Sequence, residues 1–235
     1  MKKRKLIMMF LSMFLLVMCI SQINSAETSA KEAKYKIKTE TAKYKDKSGK
    51  VRGIVSFQYP QFEETNTQIK YINKTIKNKR DSYMKSDNAK SLKEYTLDSI
   101  KSNGFFSDSE QYYYKTECNV TYNTNNIVSV KMTWSWYAGG VCNGGSYGFN
   151  YNLKTGKKLT YKDVISGNAK SKILKASKKI FSDFGTDTTS AYKTIKNAKS
   201  YNFYFIPGKV YICFESYELD LGSSEFELPV GGKYK

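Results

Sequence analysis

Few residues in this 235-residue chain could do covalent chemistry, and histidine is not among them. Its absence removes Ser-His-Asp and Cys-His catalysis and the commonest zinc ligand. Carboxylates crowd at Glu215, Glu218 and Asp220, and such a pair can divide acid and base roles, as in glycoside hydrolysis. On a strand, residues three apart point to opposite faces. The two glutamates therefore converge only if the strand ends between them, and a solvated or lysine-paired rim is the better reading. Cys142 sits in a glycine loop as a candidate thiol nucleophile, yet without a His base its thiolate needs another source of stabilisation. Asp163, three residues after Thr160, fits the start of a helix. No enzyme, cofactor or metal site is expected.

Recognition chemistry is better represented. Gly139, Gly140, Gly144 and Gly145 let the backbone approach a partner closely. Trp134, Trp136, Tyr137 and Tyr147 flank them, and aromatic rings beside polar loops suit sugar faces and protein hot spots. The candidate ligand-binding residues are Trp136, Tyr137, Gly139, Gly140, Cys142, Asn143, Tyr147 and Tyr217. Trp134 and Trp136 share the inward face of their strand and can instead fill a core, whereas Tyr137 and Asn143 are expected at the surface.

The elements that position this loop can be read from periodicity. Tyr35–Tyr44 and Val51–Tyr59 alternate about the turn Asp46–Lys50, and Pro60 is expected to end the second strand. Ile69, Ile72 and Ile76 mark one face of a helix from Asn66 or Thr67 to about Arg80, with lysines opposite. A second helix over Lys90–Ser102 would turn Leu92, Tyr95 and Ile100 inward and stop at Asn103-Gly104; a kink or a loop at Ser86–Asn88 joins the two. Gln111–Tyr122 and Ile127–Tyr137 form a hairpin across Asn123–Asn126. Tyr112, Tyr114, Cys118, Val120 and Tyr122 share one face of it. An aromatic strand ending at Leu153 runs into the Lys-Thr-Gly-Lys turn. Ile173, Leu174, Ile180, Phe181 and Phe184 give a helix stripe closed by Gly185, with a shorter helix over Ser190–Ala198. Tyr201–Ile206, Lys209–Tyr217 and Ser224–Leu228 finish as strands. Hairpins with helices gathered between them make an α+β fold: antiparallel sheet with helices packed on one face.

The first 26 residues read as an export signal: Lys2–Lys5, an apolar run Leu6–Ile20, and small residues before a cut after Ala26. Residues 27–34 read as a disordered tether. Retention of the apolar run as an anchor is the alternative, and membrane contact is expected only then. The formal net charge is +18, and removing the signal's four basic residues leaves +14. A basic exported protein is attracted to anionic wall polymers or a protein partner at the cell surface, and nucleic acid is poorly placed as its partner. Cys118, Cys142 and Cys213 remain after cleavage; an odd count permits one bridge and one free thiol.

Two stretches carry a resemblance. Val55–Asn73 presents a strand, Tyr-Pro-Gln and a helix with Ile and Asn. Tyr137–Pro229 presents a Gly-Gly turn, Thr-Gly-Lys followed by Leu-Thr and Asp, then Ile-Cys-Phe-Glu-Ser-Tyr-Glu and a closing Leu-Pro. In this order they resemble the extracellular domain family of the anti-sigma factor RsiV, which also precedes the catalytic domain of the peptidoglycan deacetylase PdaC. The resemblance implies a leading part over 35–136, a trailing part over 137–235, and an RsiV-ectodomain-like fold standing alone. It implies a bacterial, secreted or wall-associated binding module; the alternatives are a wall hydrolase or deacetylase accessory and a lysozyme-binding sensor or inhibitor. The family often has His after Gly-Gly-Ala where this chain has Cys142, so any role of that His is in doubt here. Leu219–Gly222 is shorter than the family's Pro- and Ala-containing segment, so an altered rim is expected there.

Overall fold

The structure, a computed structural model, describes residues 32–105, 107–140, 142–184, 187–221 and 225–235. The export signal, the tether as far as residue 31, and the Gly185 helix stop lie outside them. The elements are β1 (Tyr35–Lys45), β2 (Val51–Phe62), α1 (Thr67–Met84), α2 (Asp87–Ser102), β3 (Tyr112–Thr124), β4 (Ile127–Tyr137), β5 (Cys142–Asn152), α3 (Tyr161–Val164), α4 (Ala169–Phe181), α5 (Thr189–Asn197), β6 (Asn202–Ile206), β7 (Lys209–Phe214) and β8 (Phe226–Gly231). They form an α+β fold with a five-stranded sheet ordered β1-β2-β3-β4-β5 and a three-stranded sheet ordered β6-β7-β8. All pairings are antiparallel except β2–β3, which is parallel because α1 and α2 form the crossover between them.

Local chemistry sets most element ends. Asp46 Oδ1 accepts from the Ser48 and Lys50 amides at 2.9 and 3.0 Å, closing the β1–β2 turn. Asn66 Oδ1 accepts from the Ile69 amide at 2.9 Å and caps α1, which buries Ile69, Ile72, Ile76 and Tyr83. Asn73 on that helix accepts from Phe62 N–H at 3.1 Å and donates to Phe62 O at 2.8 Å, so its side chain replaces a strand neighbour at the end of β2. Asn125 and Asn126, with φ of 52° and 61°, make the two-residue turn of the β3–β4 hairpin.

Several sequence expectations change or are decided. β2 continues through Pro60, which pairs with Ile37 of β1, because β3 pairs only with Gly53–Phe57 and leaves no ladder bond there for proline to break. The join left open between a kink and a loop is a break between two separate helices, and the second starts at Asp87, earlier than Lys90, with Ser86 as its cap. That helix buries Ala89, Leu92 and Thr96, while Tyr95 is 56% exposed and meets Trp136 edge-on at 6.0 Å. Tyr122 leaves the face of Tyr112, Tyr114, Cys118 and Val120, since a bulge between Val120 and Tyr122 shifts the register. It joins Phe205 and Tyr234 on the far side.

The two faces of the large sheet are therefore covered differently. Helices α1 and α2 pack on Val55, Phe57, Val128, Val130 and Met132. The opposite face at the β4–β5 end receives the second sheet. Edge strand β6 is held there by side chains: Ser129 Oγ accepts from Phe205 N–H (2.9 Å) and donates to Asn150 Oδ1 (2.7 Å). Asn150 Nδ2 in turn donates to Phe203 O (2.7 Å), and Thr121 Oγ1 donates to Phe205 O (2.8 Å). A buried polar seam with every partner supplied substitutes for a strand ladder. Helices α4 and α5 cover the second sheet through Ile173, Phe181 and Ile195. Phe184 lies beyond the end of α4 and is 39% exposed.

Cys118, Cys142 and Cys213 are all free thiols. Burial pushes Cys118 up to about 12 and Cys213 up further, which leaves both inert at neutral pH.

Candidate functional site

On the helix-covered face, β3 and β4 each contribute one aromatic residue to one cavity, β5 contributes Tyr147, Phe149 and Tyr151, and α1 contributes another. It measures about 420 Å³ and is walled by Tyr83 of α1, Tyr114 of β3, Trp134 of β4 and Tyr147 of β5, with Thr75, Lys79, Asn88, Lys158 and Glu215 around them. Strand alternation puts these sheet residues on one face, and Tyr83 lies seven residues after Ile76, two turns along the apolar face of α1. Tyr83 and Tyr114 stack at 4.0 Å with 17° between their planes; Trp134 meets Tyr114 edge-on at 6.3 Å. Lys79 Nζ lies 5.6 Å from the centre of the Tyr147 ring, within cation–π range.

The polar atoms of this cavity are unevenly satisfied. Burial, then the neighbouring Tyr114 and Tyr147, pushes the Tyr83 hydroxyl far above its ordinary range; burial does the same to Tyr147. Both phenols are neutral and can donate or accept. The Tyr83 hydroxyl interacts with that of the stacked Tyr114, whereas the Tyr147 hydroxyl has no hydrogen-bond partner among the described residues. Buried polar groups are nearly always paired, so the Tyr147 hydroxyl leaves hydrogen-bonding capacity open at the cavity wall. Gly145 makes room at the rim: a Cβ there would stand 2.8 Å from both Trp134 Nε1 and Glu215 Cγ. The indole N–H edge and the Glu215 side chain meet over that bare backbone.

The loop expected from sequence behaves differently. Tyr137 is half-buried, and its hydroxyl donates to Glu110 Oε1 at 2.9 Å. Trp136 Nε1 reaches Asn88 O at 3.4 Å. Gly139 packs under the Tyr112 ring, and Gly140 is exposed. Cys142 is exposed beside Tyr113, whose hydroxyl is pushed up by burial and then by this neighbour. Asn143 is half-buried rather than at the surface, with its Oδ1 shielded and unpartnered, because register places it opposite Trp136 on the helix-facing side. Tyr217 is 55% exposed with φ 64°, in the turn after β7. Of the eight residues expected, Tyr147 alone lines the cavity; the other aromatic residues in its wall are Tyr83, Tyr114, Trp134, Phe149 and Tyr151.

β7 ends at Phe214 rather than at Tyr217, so Glu215, expected on that strand, lies with Glu218 in the turn that follows. Glu218 Oε2 accepts from the Glu215 amide at 2.8 Å and stabilises the turn, while Glu215 enters the cavity wall. The Thr160–Asp163 capping box is present at α3. Burial opposes the Asp163 charge, but hydrogen bonds from Lys157 and Thr160 outweigh it and hold the carboxyl down at about 2. Among the described residues no cluster of His, Cys, Asp and Glu is able to hold a metal ion, and no helix is long and apolar enough to cross a membrane.

Residues 50–141, from β2 to the end of the β4 tip, match the family described as Deacetylase PdaC. This stretch is similar to a PdaC domain. Two solved structures share the fold. A DUF3298 family member from Bacteroides fragilis superposes with a TM-score of 0.53 at 16% identity, covering 86% of this chain and 96% of that one. A DUF3298 family protein from Pseudomonas aeruginosa gives 0.51 at 12% identity, covering 85% and 95%. No curated protein matches the chain. The PdaC-like stretch supplies Tyr83, Tyr114 and Trp134; β5 and the turn after β7 supply Tyr147 and Glu215.

Proposed function

We propose that this protein is an exported, non-enzymatic binding module of the bacterial cell envelope whose aromatic cavity takes a sugar unit of a wall glycan. One observation carries the reading: the Tyr147 hydroxyl, without a partner among the described residues, walls a cavity with the Trp134 ring. A pyranose offers an apolar ring face for stacking and a perimeter of hydroxyls for hydrogen bonds, and this wall supplies both. Glu215 and Lys79 at the rim add charge-assisted partners. The basic surface and the apolar N-terminal run support export to a wall rich in anionic polymer. The test is calorimetric titration of the purified chain with soluble N-acetylated glycan fragments. Binding should weaken by about 5- to 10-fold in Tyr147→Phe, the loss of one hydrogen bond of about 1 kcal/mol, without a fall in Tm. Glycan turnover that disappears in Glu215→Gln would replace this reading with an enzymatic one.

A further inference from the structure

A second cavity of about 430 Å³ lies around the outer edge of β5 from the aromatic one. Lys158, Lys162 and Lys199 stand in its wall, and none of its lining residues is acidic. Asp163, the nearest acid in sequence, is engaged by Lys157 at 2.7 Å. The two cavities share Gly148, Lys158 and Asn202 in their walls. Between them β5 has an open edge. Ser216 occupies that edge at Gly144, with its N–H donating to Gly144 O at 3.0 Å, and Leu159 N–H donates to Asn150 O at 2.8 Å. Gly144 and Asn150 thus turn their backbone groups away from β4. In an antiparallel strand alternate residues do so, and Gly148 has the same parity, so its amide and carbonyl face the junction of the two cavities.

We propose that the two cavities act as one groove for a phosphorylated sugar polymer, with a sugar ring at Tyr147 and Trp134 and the adjoining phosphate at Lys158, Lys162 and Lys199. This rests on the sugar reading of the aromatic end and adds the anionic class of the ligand. Three ammonium groups without an acid among the lining residues suit a phosphate, whose oxygens accept charge-assisted hydrogen bonds. The Gly148 amide at the junction offers a donor to the bridging oxygens.

The experiment titrates the purified chain with N-acetylglucosamine, N-acetylglucosamine 1-phosphate and inorganic phosphate. The sugar phosphate should bind at least about 10-fold more tightly than the neutral sugar, and this gain should shrink with salt. The double variant Lys162→Gln/Lys199→Gln should abolish the gain and leave neutral-sugar binding unchanged; both lysines are exposed, so the fold is preserved. Tyr147→Phe should weaken both sugars by the same factor. Equal affinity for the two sugars would overturn the groove and leave the sugar reading standing. Phosphate binding as tightly as the sugar phosphate, with no effect of Tyr147→Phe, would overturn the sugar reading and with it the joined groove.

Discussion

The body and the tip of the β4–β5 hairpin are built from similar residues and differ in what those residues have left to offer. At the tip, Tyr137 is paired to Glu110, Gly139 lies under Tyr112, and Trp136 reaches a backbone carbonyl. In the body, only a few residues along, Tyr147 faces Tyr83 and Trp134 across a cavity with its hydroxyl unpaired. Aromatic and glycine content marks both regions alike. Unused hydrogen-bonding capacity inside a cavity distinguishes them, because only there does a ligand gain what the fold has not already supplied.

The largest effect that sharpens this contrast is in the body. A Cβ at Gly148 would fall 1.8 Å from Phe203 O, a backbone atom held by the polar seam. Gly148→Ala should cost about 3 kcal/mol or more in denaturant unfolding, at the upper end for overpacking, because neither strand can give way. A loss under about 1 kcal/mol would show that β6 moves off β5 easily and that the groove is not fixed. At the tip, by contrast, Tyr137→Phe should lower Tm slightly through loss of the Glu110 bond and leave glycan titration unchanged. A binding defect there as large as that of Tyr147→Phe would erase the difference between the two regions.

A smaller, pH-dependent effect bears on the basic end of the groove, where α3 holds Lys162. The Asp163 carboxyl is depressed in the folded protein to about 2 from an ordinary 3.8. Its contribution is therefore fully present above the unfolded value and is lost as pH falls through the folded one. The Tm difference between wild type and Asp163→Asn should be constant above about pH 5 and close between about pH 4 and 2. A difference that persists at about pH 2 would mean the carboxylate charge is not what holds the cap. The smallest effect expected is that of Cys142→Ser, an exposed thiol whose replacement should change neither Tm nor glycan affinity.

Much of the fold was legible because its signals are local. The isoleucine stripe of α1, the Asn125-Asn126 turn, the Asn103 stop and the Thr160–Asp163 box each act within a few residues. The α+β class could be read from hairpins alternating with amphipathic helices. Legibility failed where a single residue resets the facing of the rest of its strand. The bulge between Val120 and Tyr122 turns Tyr122 to the other face, and nothing in alternating hydrophobicity announces an inserted residue. Apolar character points Tyr95 inward, but helix geometry aligns Leu92 with Thr96, and the small hydroxyl is what packs against β2 at Gly53.

The sequence by itself determined the order of hairpins and helices, that histidine chemistry is absent, and that β5 carries an aromatic stripe; it placed Gly144 and Gly145 in a loop, although they pair with β4 inside β5. The tertiary structure alone decided which aromatic residues face one another. Tyr83, Tyr114, Trp134, Tyr147 and Glu215 come from a helix, three strands and a turn. Periodicity assigns each to a face of its own element, but not to a height along the partner. That height is set by the parallel β2–β3 crossover, by the Asn73–Phe62 clamp on α1, and by the seam through Ser129 and Asn150. All three are contacts between residues distant in sequence, so the cavity they align exists only once the chain has packed.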